Sequence, residues 1–262
     1  MSVIAFTRIY AKIASHAIAF QAKYFKTPFT VVEKIMPDTA QYLQPTFFID
    51  NDNPIVKDFA QNCCTPTADP RTRAVELYYA VRDTIKYDPY DLQRKRSALR
   101  ASTVAQKQSG YCVAKAVLLT AAARQQNIPA RLGFADVTNH LSSAQLRRIM
   151  GSDIFCYHGY SELLLEGKWV KATPAFNLSL CRRLNIKPLE FDGRSDSIFH
   201  EYDNLGQKHM EYIRDHGHFA DLPFKRIFDA YEQHYPGILE HFATIQEADF
   251  DKEAEHESSQ TC

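Results

Sequence analysis

The chain has 262 residues, 45% of them hydrophobic and 24% charged, which is the composition of a globular protein with one substantial core. Its 31 basic and 31 acidic side chains cancel, so no net field draws it to nucleic acid or an anionic membrane, and neither is an expected partner. Six cysteines with no C-x-x-C pair exclude a disulfide scaffold and a zinc ribbon; reduced thiols in a cytoplasmic protein are expected.

Residues 1–35 read as an N-terminal extension. Met1 to Val32 has no acidic residue, and Arg8, Lys12, Lys23 and Lys26 break its apolar run, leaving no signal-peptide core. Nowhere does an apolar stretch of about 18 residues suggest a membrane span. A single domain is expected over 36–245. Its first part, Met36 to Pro70, is punctuated by Pro37, Pro45, Pro54, Pro66 and Pro70, with a short extended piece at Thr46–Ile49 ended by the turn signal Asp50-Asn51-Asp52-Asn53-Pro54.

Asp69-Pro70 marks a helix start: Asp caps, and Pro has no N–H to lose at the first position. Val75, Tyr78, Val81 and Ile85 recur at helical spacing, which carries that helix to about Lys86. A polar, basic stretch from Gln93 to Gln108 leads into Ser109-Gly110-Tyr111-Cys112. From Cys112 to Gln126 the chain is apolar on most faces, as for the buried axis of a domain. Asn127-Ile128-Pro129 stops this helix, and Ala130 to Phe134 reads as a strand. Gly133 to His140 then joins strand to helix, where active-site rims often lie, so Asp136 and His140 are candidate substrate contacts.

Ser142-Ser143-Ala144-Gln145 is a capping signal for a short helix to Met150. Ile154–Leu165 and Lys168–Thr173 form a hairpin about Glu166-Gly167. The stretch onward to Tyr235 mixes loops with one or two helices, including Phe224 to His234. Residues 246–262 form an acidic tail expected to be disordered: Glu247 to Cys262 holds six acidic residues against one lysine. This order describes an α+β fold, a buried helix packed on an antiparallel sheet.

A cysteine nucleophile needs its thiolate favoured, and a helix N-terminus offers unpaired N–H groups and the positive end of the helix dipole. Ser109-Gly110-Tyr111-Cys112 provides a Ser for capping, a Gly that admits a substrate backbone, and a Cys at the helix start. Those N–H groups can also stabilise an oxyanion, so Gly110 and Tyr111 join the expected substrate-binding residues. The base is expected to be His158, which alternation places on one face of its strand with Tyr160, Glu162 and Leu164. Glu162 and Arg131 are expected in structural pairings, and Trp169 in packing at the hairpin.

Gly110-Tyr111-Cys112 followed by an Ala/Leu-rich helix ending in Asn127-Ile128-Pro129-Ala130-Arg131 resembles the nucleophile helix of the transglutaminase-like superfamily. His158-Gly159-Tyr160-Ser161-Glu162, then Gly167-Lys168-Trp169-Val170-Lys171-Ala172-Thr173-Pro174, resembles its second motif. The resemblance covers roughly Asp69 to Asn177. It implies a papain-like core, Cys112 as nucleophile, His158 as base, no metal or organic cofactor, and a protein or peptide substrate whose amide is attacked through a thioester. The family's third catalytic residue, an Asp, is Thr173 here, which can accept a hydrogen bond but brings no charge. Asn177, Asp136 or Asp192 could fold in to replace it.

Other readings stand beside this one. A cysteine within an apolar helix is ordinarily a small buried hydrophobe. Loss of the Asp suits a transglutaminase-like module that has kept its fold and serves protein interaction. A redox or metal protein is a further alternative, but His200, His209, His216 and His218 lack ligand spacing and read as solvated. Hydrolysis is favoured over transamidation because no acceptor channel is identifiable. The oligomeric state is open.

Overall fold

The computed structural model describes residues 39–139, 143–198, 210–244, 250 and 252–253. From Ala40 onward these form one compact unit. The expected extension over 1–35 and His140 lie outside the described residues.

Thr46–Ile49 is not a strand. Phe48 and Ile49 are buried, and Thr46 donates its hydroxyl to Asp221 Oδ1 at 2.7 Å, anchoring the segment as a loop. The Asn53-Pro54 pair that reads as a turn instead opens helix α1 (Pro54–Cys63). Asn53 accepts the Ile55 N–H as cap, and Pro54 occupies the first turn. Helix α2 (Pro70–Thr84) begins as expected, with Asp69 Oδ1 accepting from the N–H groups of Arg71 and Thr72 at 3.0 and 3.1 Å. Strand β1 (Lys86–Tyr87) follows. The basic stretch holds a further helix, α3 (Ala101–Lys107), which buries Ala101, Val104 and Ala105 and ends where Gln108 turns left-handed at φ 56°. Strand β2 (Ser109–Gly110) then pairs parallel with β1.

Helix α4 (Cys112–Gln125) is buried at every position from Cys112 to Arg124. It lies between α1, α2 and α3 on one side and the main sheet on the other. Its two cations serve as clamps. Lys115 Nζ donates to the carbonyls of Arg82 and Ile85 at 2.9 and 2.6 Å. Arg124 donates to those of Ala130, Gln44 and Ala220 at 2.9, 2.6 and 2.6 Å. Burial drives the Lys115 pKa well below its ordinary value, with the charge of Asp83 opposing it. Asn127 leaves the helix in the left-handed conformation, φ 59°.

The main sheet is antiparallel throughout, in the order β5-β4-β3-β6. Strand β3 (Ala130–Asn139) runs well past Phe134, so the expected connection from Gly133 is strand as far as Asn139. The cause is cover on both faces: Leu132 and Phe134 join the main core, while Ala135 and Val137 pack with Tyr160. Helix α5 (Ala144–Met150) follows, with Ser143 accepting the Leu146 N–H as cap. Strands β4 (Ile154–Leu165) and β5 (Lys168–Ala172) form the expected hairpin. Its tip, Glu166-Gly167, is left-handed at both residues, φ 50° and 82°, as a two-residue turn between twisted strands requires.

After helix α6 (Leu178–Arg183) comes β6 (Met210–Phe219), an edge strand where loops and helices were expected. It buries only Met210, so it lacks the apolar face by which a strand is recognised. Helices α7 (Phe224–His234) and α8 (Ile238–Thr244) complete the described body. No helix among the described residues is long and apolar enough to cross a membrane.

The acidic tail is not wholly free of the domain. Phe250 is buried against the rings of Tyr87 and Tyr90, and Glu253 accepts hydrogen bonds from Tyr90 Oη at 2.7 Å and Ser143 Oγ at 2.6 Å.

Candidate active site

The site begins where β2 hands the chain to α4. Tyr111 is the N-cap residue, extended at φ −83° and ψ −179°, and no side chain caps the first turn. Ser109 does not serve as the cap, because it is paired with Lys86 in β2, ahead of the N-cap position. The leading N–H groups of the helix are therefore left for the site. Those of Val113 and Cys112 itself, and that of Gly159 on β4, are directed at the Cys112 sulfur.

Cys112 and His158 line the same cavity. The two expected residues are thus brought to one cavity, and a bulge in β4 immediately precedes His158. Ala135 pairs with His158 and Val137 with Phe155, so Asp136 faces two residues, Cys156 and Tyr157. Tyr157 takes a left-handed φ of 52°, uncommon for an aromatic residue, immediately before His158. Gly159 follows. A Cβ there would lie 2.9 Å from Val113 Cα, so only glycine lets β4 approach the first turn of the helix so closely.

Burial dominates the electrostatics. It pushes the Cys112 thiol up to about 11, opposed by the N–H groups of Gly159, Val113 and Cys112. It pulls the His158 imidazole down to about 3. Around neutral pH the pair is thus thiol and neutral imidazole rather than thiolate and imidazolium. Such a pair can react if the proton moves from sulfur to nitrogen as the sulfur attacks, with N–H groups already aimed at the sulfur.

Tyr111 also lines the cavity. Gly110 does not; its missing side chain makes room for the helix, since a Cβ there would stand 2.7 Å from Ala114 Cβ. Asp136, expected as a substrate contact, is not a cavity-lining residue either. Its Oδ1 accepts the Tyr157 N–H at 2.9 Å and the His216 Nε2–H at 2.7 Å. The Tyr157 ring stacks on His216, centroids 3.9 Å apart and planes 11° from parallel. The bulge is thus held by a clamp of Asp136, His216 and Tyr157. His216, expected to be solvated, is half-buried in it, while His218 is exposed. Among the described residues no three metal-ligating side chains converge.

Thr173 is buried and does not line the cavity. Its N–H donates to the Ser197 carbonyl and its own carbonyl accepts from Tyr78 Oη, while its Oγ1 has no hydrogen-bond partner among the described residues. Nor do the expected substitutes turn to the imidazole. Asn177 accepts the Tyr87 N–H at 2.7 Å and donates to the carbonyls of Arg82 and Ile85. Asp192 accepts the N–H groups of Arg194 and Ser195 in its own loop. Away from the cavity, Arg131 pairs with Glu162 and stacks over Trp169 at 4.0 Å.

The sequence reading missed the far wall. Tyr231 and Tyr235 come from the C-terminal part of α7 and its end, Ile238 and Phe242 from α8, and Leu146 and Met150 from α5. Helical spacing of apolar residues marks α7 as one-sided, but nothing local says which cavity that side covers.

Residues 57–174 match the family model of the transglutaminase-like superfamily. That stretch holds Cys112, His158 and Thr173 and runs from α1 to the end of the hairpin. Among solved structures, a proposed cysteine protease from Cytophaga hutchinsonii is similar at 17% identity and a TM-score of 0.42, over 59% of this chain and 47% of that one. The chain thus spans about half the length of that protein. No curated protein matches the sequence.

Proposed function

With residues 57–174 a member of the transglutaminase-like superfamily, we propose that the protein is a cysteine-dependent acyl-transfer enzyme that opens an amide bond of a protein or peptide. The observation that carries this reading is the shared cavity of Cys112 and His158, with three backbone N–H groups directed at the sulfur.

The thiol of Cys112 gives its proton to the neutral His158 imidazole as the sulfur adds to the carbonyl carbon. The N–H groups at the head of α4 stabilise the negative charge that appears there. The imidazolium returns the proton to the leaving amine as the C–N bond breaks, which leaves a thioester on Cys112. Water then loses a proton to His158 and adds to the thioester, and the C–S bond breaks with return of the proton to sulfur. Hydrolysis is preferred to transfer onto a second amine, because the cavity walls include no feature reserved for an amine acceptor.

The neutral resting pair and the uncharged Thr173 favour a second reading, a transglutaminase-like module that binds protein without reacting. One experiment separates the two. Release of ammonia or of new amino termini from denatured protein substrates is measured for the wild type, Cys112→Ser and His158→Gln. The enzyme reading expects release by the wild type alone. Absence of release, together with a Cys112 thiol alkylated no faster than glutathione, would establish the binding module.

A further inference from the structure

We infer that the substrate group seated in the cavity beside the reacting carbonyl is uncharged and apolar, an aromatic or branched aliphatic side chain. This inference rests on the reading of Cys112 as nucleophile and adds the chemical class of what it attacks.

Solvation decides what the cavity can hold. Among the described residues no Asp, Glu, Lys or Arg lines the cavity, and the one basic group there, His158, is held neutral by burial. The walls are instead built from Leu92, Met150, Phe155, Tyr231, Ile238 and Phe242, which line the cavity together with Cys112. A carboxylate or ammonium entering here would shed its hydration and meet no opposite charge, whereas an apolar group would gain by leaving water. Glu253 is not among the lining residues; its Oε2 accepts the hydroxyls of Tyr90 and Ser143 instead. The aromatic wall is also braced from behind: Phe242 packs edge-on against Tyr90, and Phe250 against both Tyr87 and Tyr90. Rings held in this way keep their shape and present flat apolar surface to a guest.

The test uses the full chain and three thiol reagents of one reactive type: chloroacetamide, N-benzyl chloroacetamide and chloroacetate. The rate of Cys112 modification is followed by mass spectrometry and divided by each reagent's rate with glutathione. The benzyl reagent is expected to exceed chloroacetamide by about tenfold, and chloroacetate to fall below it by a similar factor. Met150→Lys, which sets a cation on the wall, is expected to raise the relative chloroacetate rate at least about fivefold by pairing with the carboxylate; Ile238→Lys serves if that variant does not fold. Equal normalised rates for the three reagents at a reactive Cys112 would overturn the apolar assignment while leaving the nucleophile in place. A Cys112 no more reactive than glutathione toward all three would overturn the enzyme reading itself, and this inference with it.

Discussion

Gly159 and Val113 touch where strand meets helix: a Cβ on the first would lie 2.9 Å from the Cα of the second, and the Gly159 N–H reaches the neighbouring Cys112 sulfur. Backbone on the helix side cannot retreat as a flexible side chain could. Gly159→Ala is therefore expected to cost about 1–3 kcal/mol of stability through overpacking. It should also slow Cys112 alkylation at least about tenfold, because the strand must withdraw its N–H. Thermal unfolding and alkylation kinetics check both. A variant with unchanged melting and unchanged reactivity would show that the close approach is immaterial.

Asp136 holds the bulge that precedes His158. Asp136→Ala leaves the Tyr157 N–H and the His216 ring without their acceptor, at an expected cost of about 1–3 kcal/mol. Turnover should fall further than substrate affinity, because the imidazole loses its placement while the cavity wall remains. His216→Phe keeps a ring stacked on Tyr157 and is expected to be milder. A wild-type turnover number in Asp136→Ala would detach the clamp from the reaction.

Thr173 occupies the position of the family's acidic residue with a buried hydroxyl that has no partner among the described residues. Thr173→Val removes only that hydroxyl. It is expected to be neutral or to stabilise by up to about 1 kcal/mol, with activity held within about threefold. A loss of activity of a hundredfold or more would restore Thr173 to the catalytic group.

His158 predicts a pH dependence of stability. Burial lowers its pKa to about 3 in the folded chain, against about 6.5 in the unfolded one. Between those values the unfolded chain binds the extra proton, so stability rises with pH. The contribution is complete above about pH 6.5 and is lost as pH falls toward 3, on the order of 5 kcal/mol in all. Chemical denaturation at pH 7, 6 and 5 should show a shallower decline for His158→Gln than for the wild type. Parallel declines would mean that the imidazole is solvated in the folded state.

The elements that carry the candidate site are written locally, and so they are legible. Gly110-Tyr111-Cys112 stands at the head of an apolar helix, and His158 lies on the first strand of a hairpin whose turn is spelled Glu166-Gly167. What failed to announce itself depends on distant contacts. Asn53-Pro54 serves equally for a turn and for a helix cap, and only the burial of Val56 and Ala60 decides. Strand β6 is exposed along most of its length and is a strand only because β3 offers it an edge. The role of Asp136 requires a histidine 80 residues later.

The matched core ends at residue 174, yet the walls facing the sulfur draw on Tyr231, Tyr235, Ile238 and Phe242. On the proposed reading, the nucleophile and the walls that face it come from different stretches of one polypeptide. Relatives that share the first and diverge in the second would perform the same bond-breaking on different molecules. Grafting α7 and α8 between them would transplant preference without disturbing the reaction.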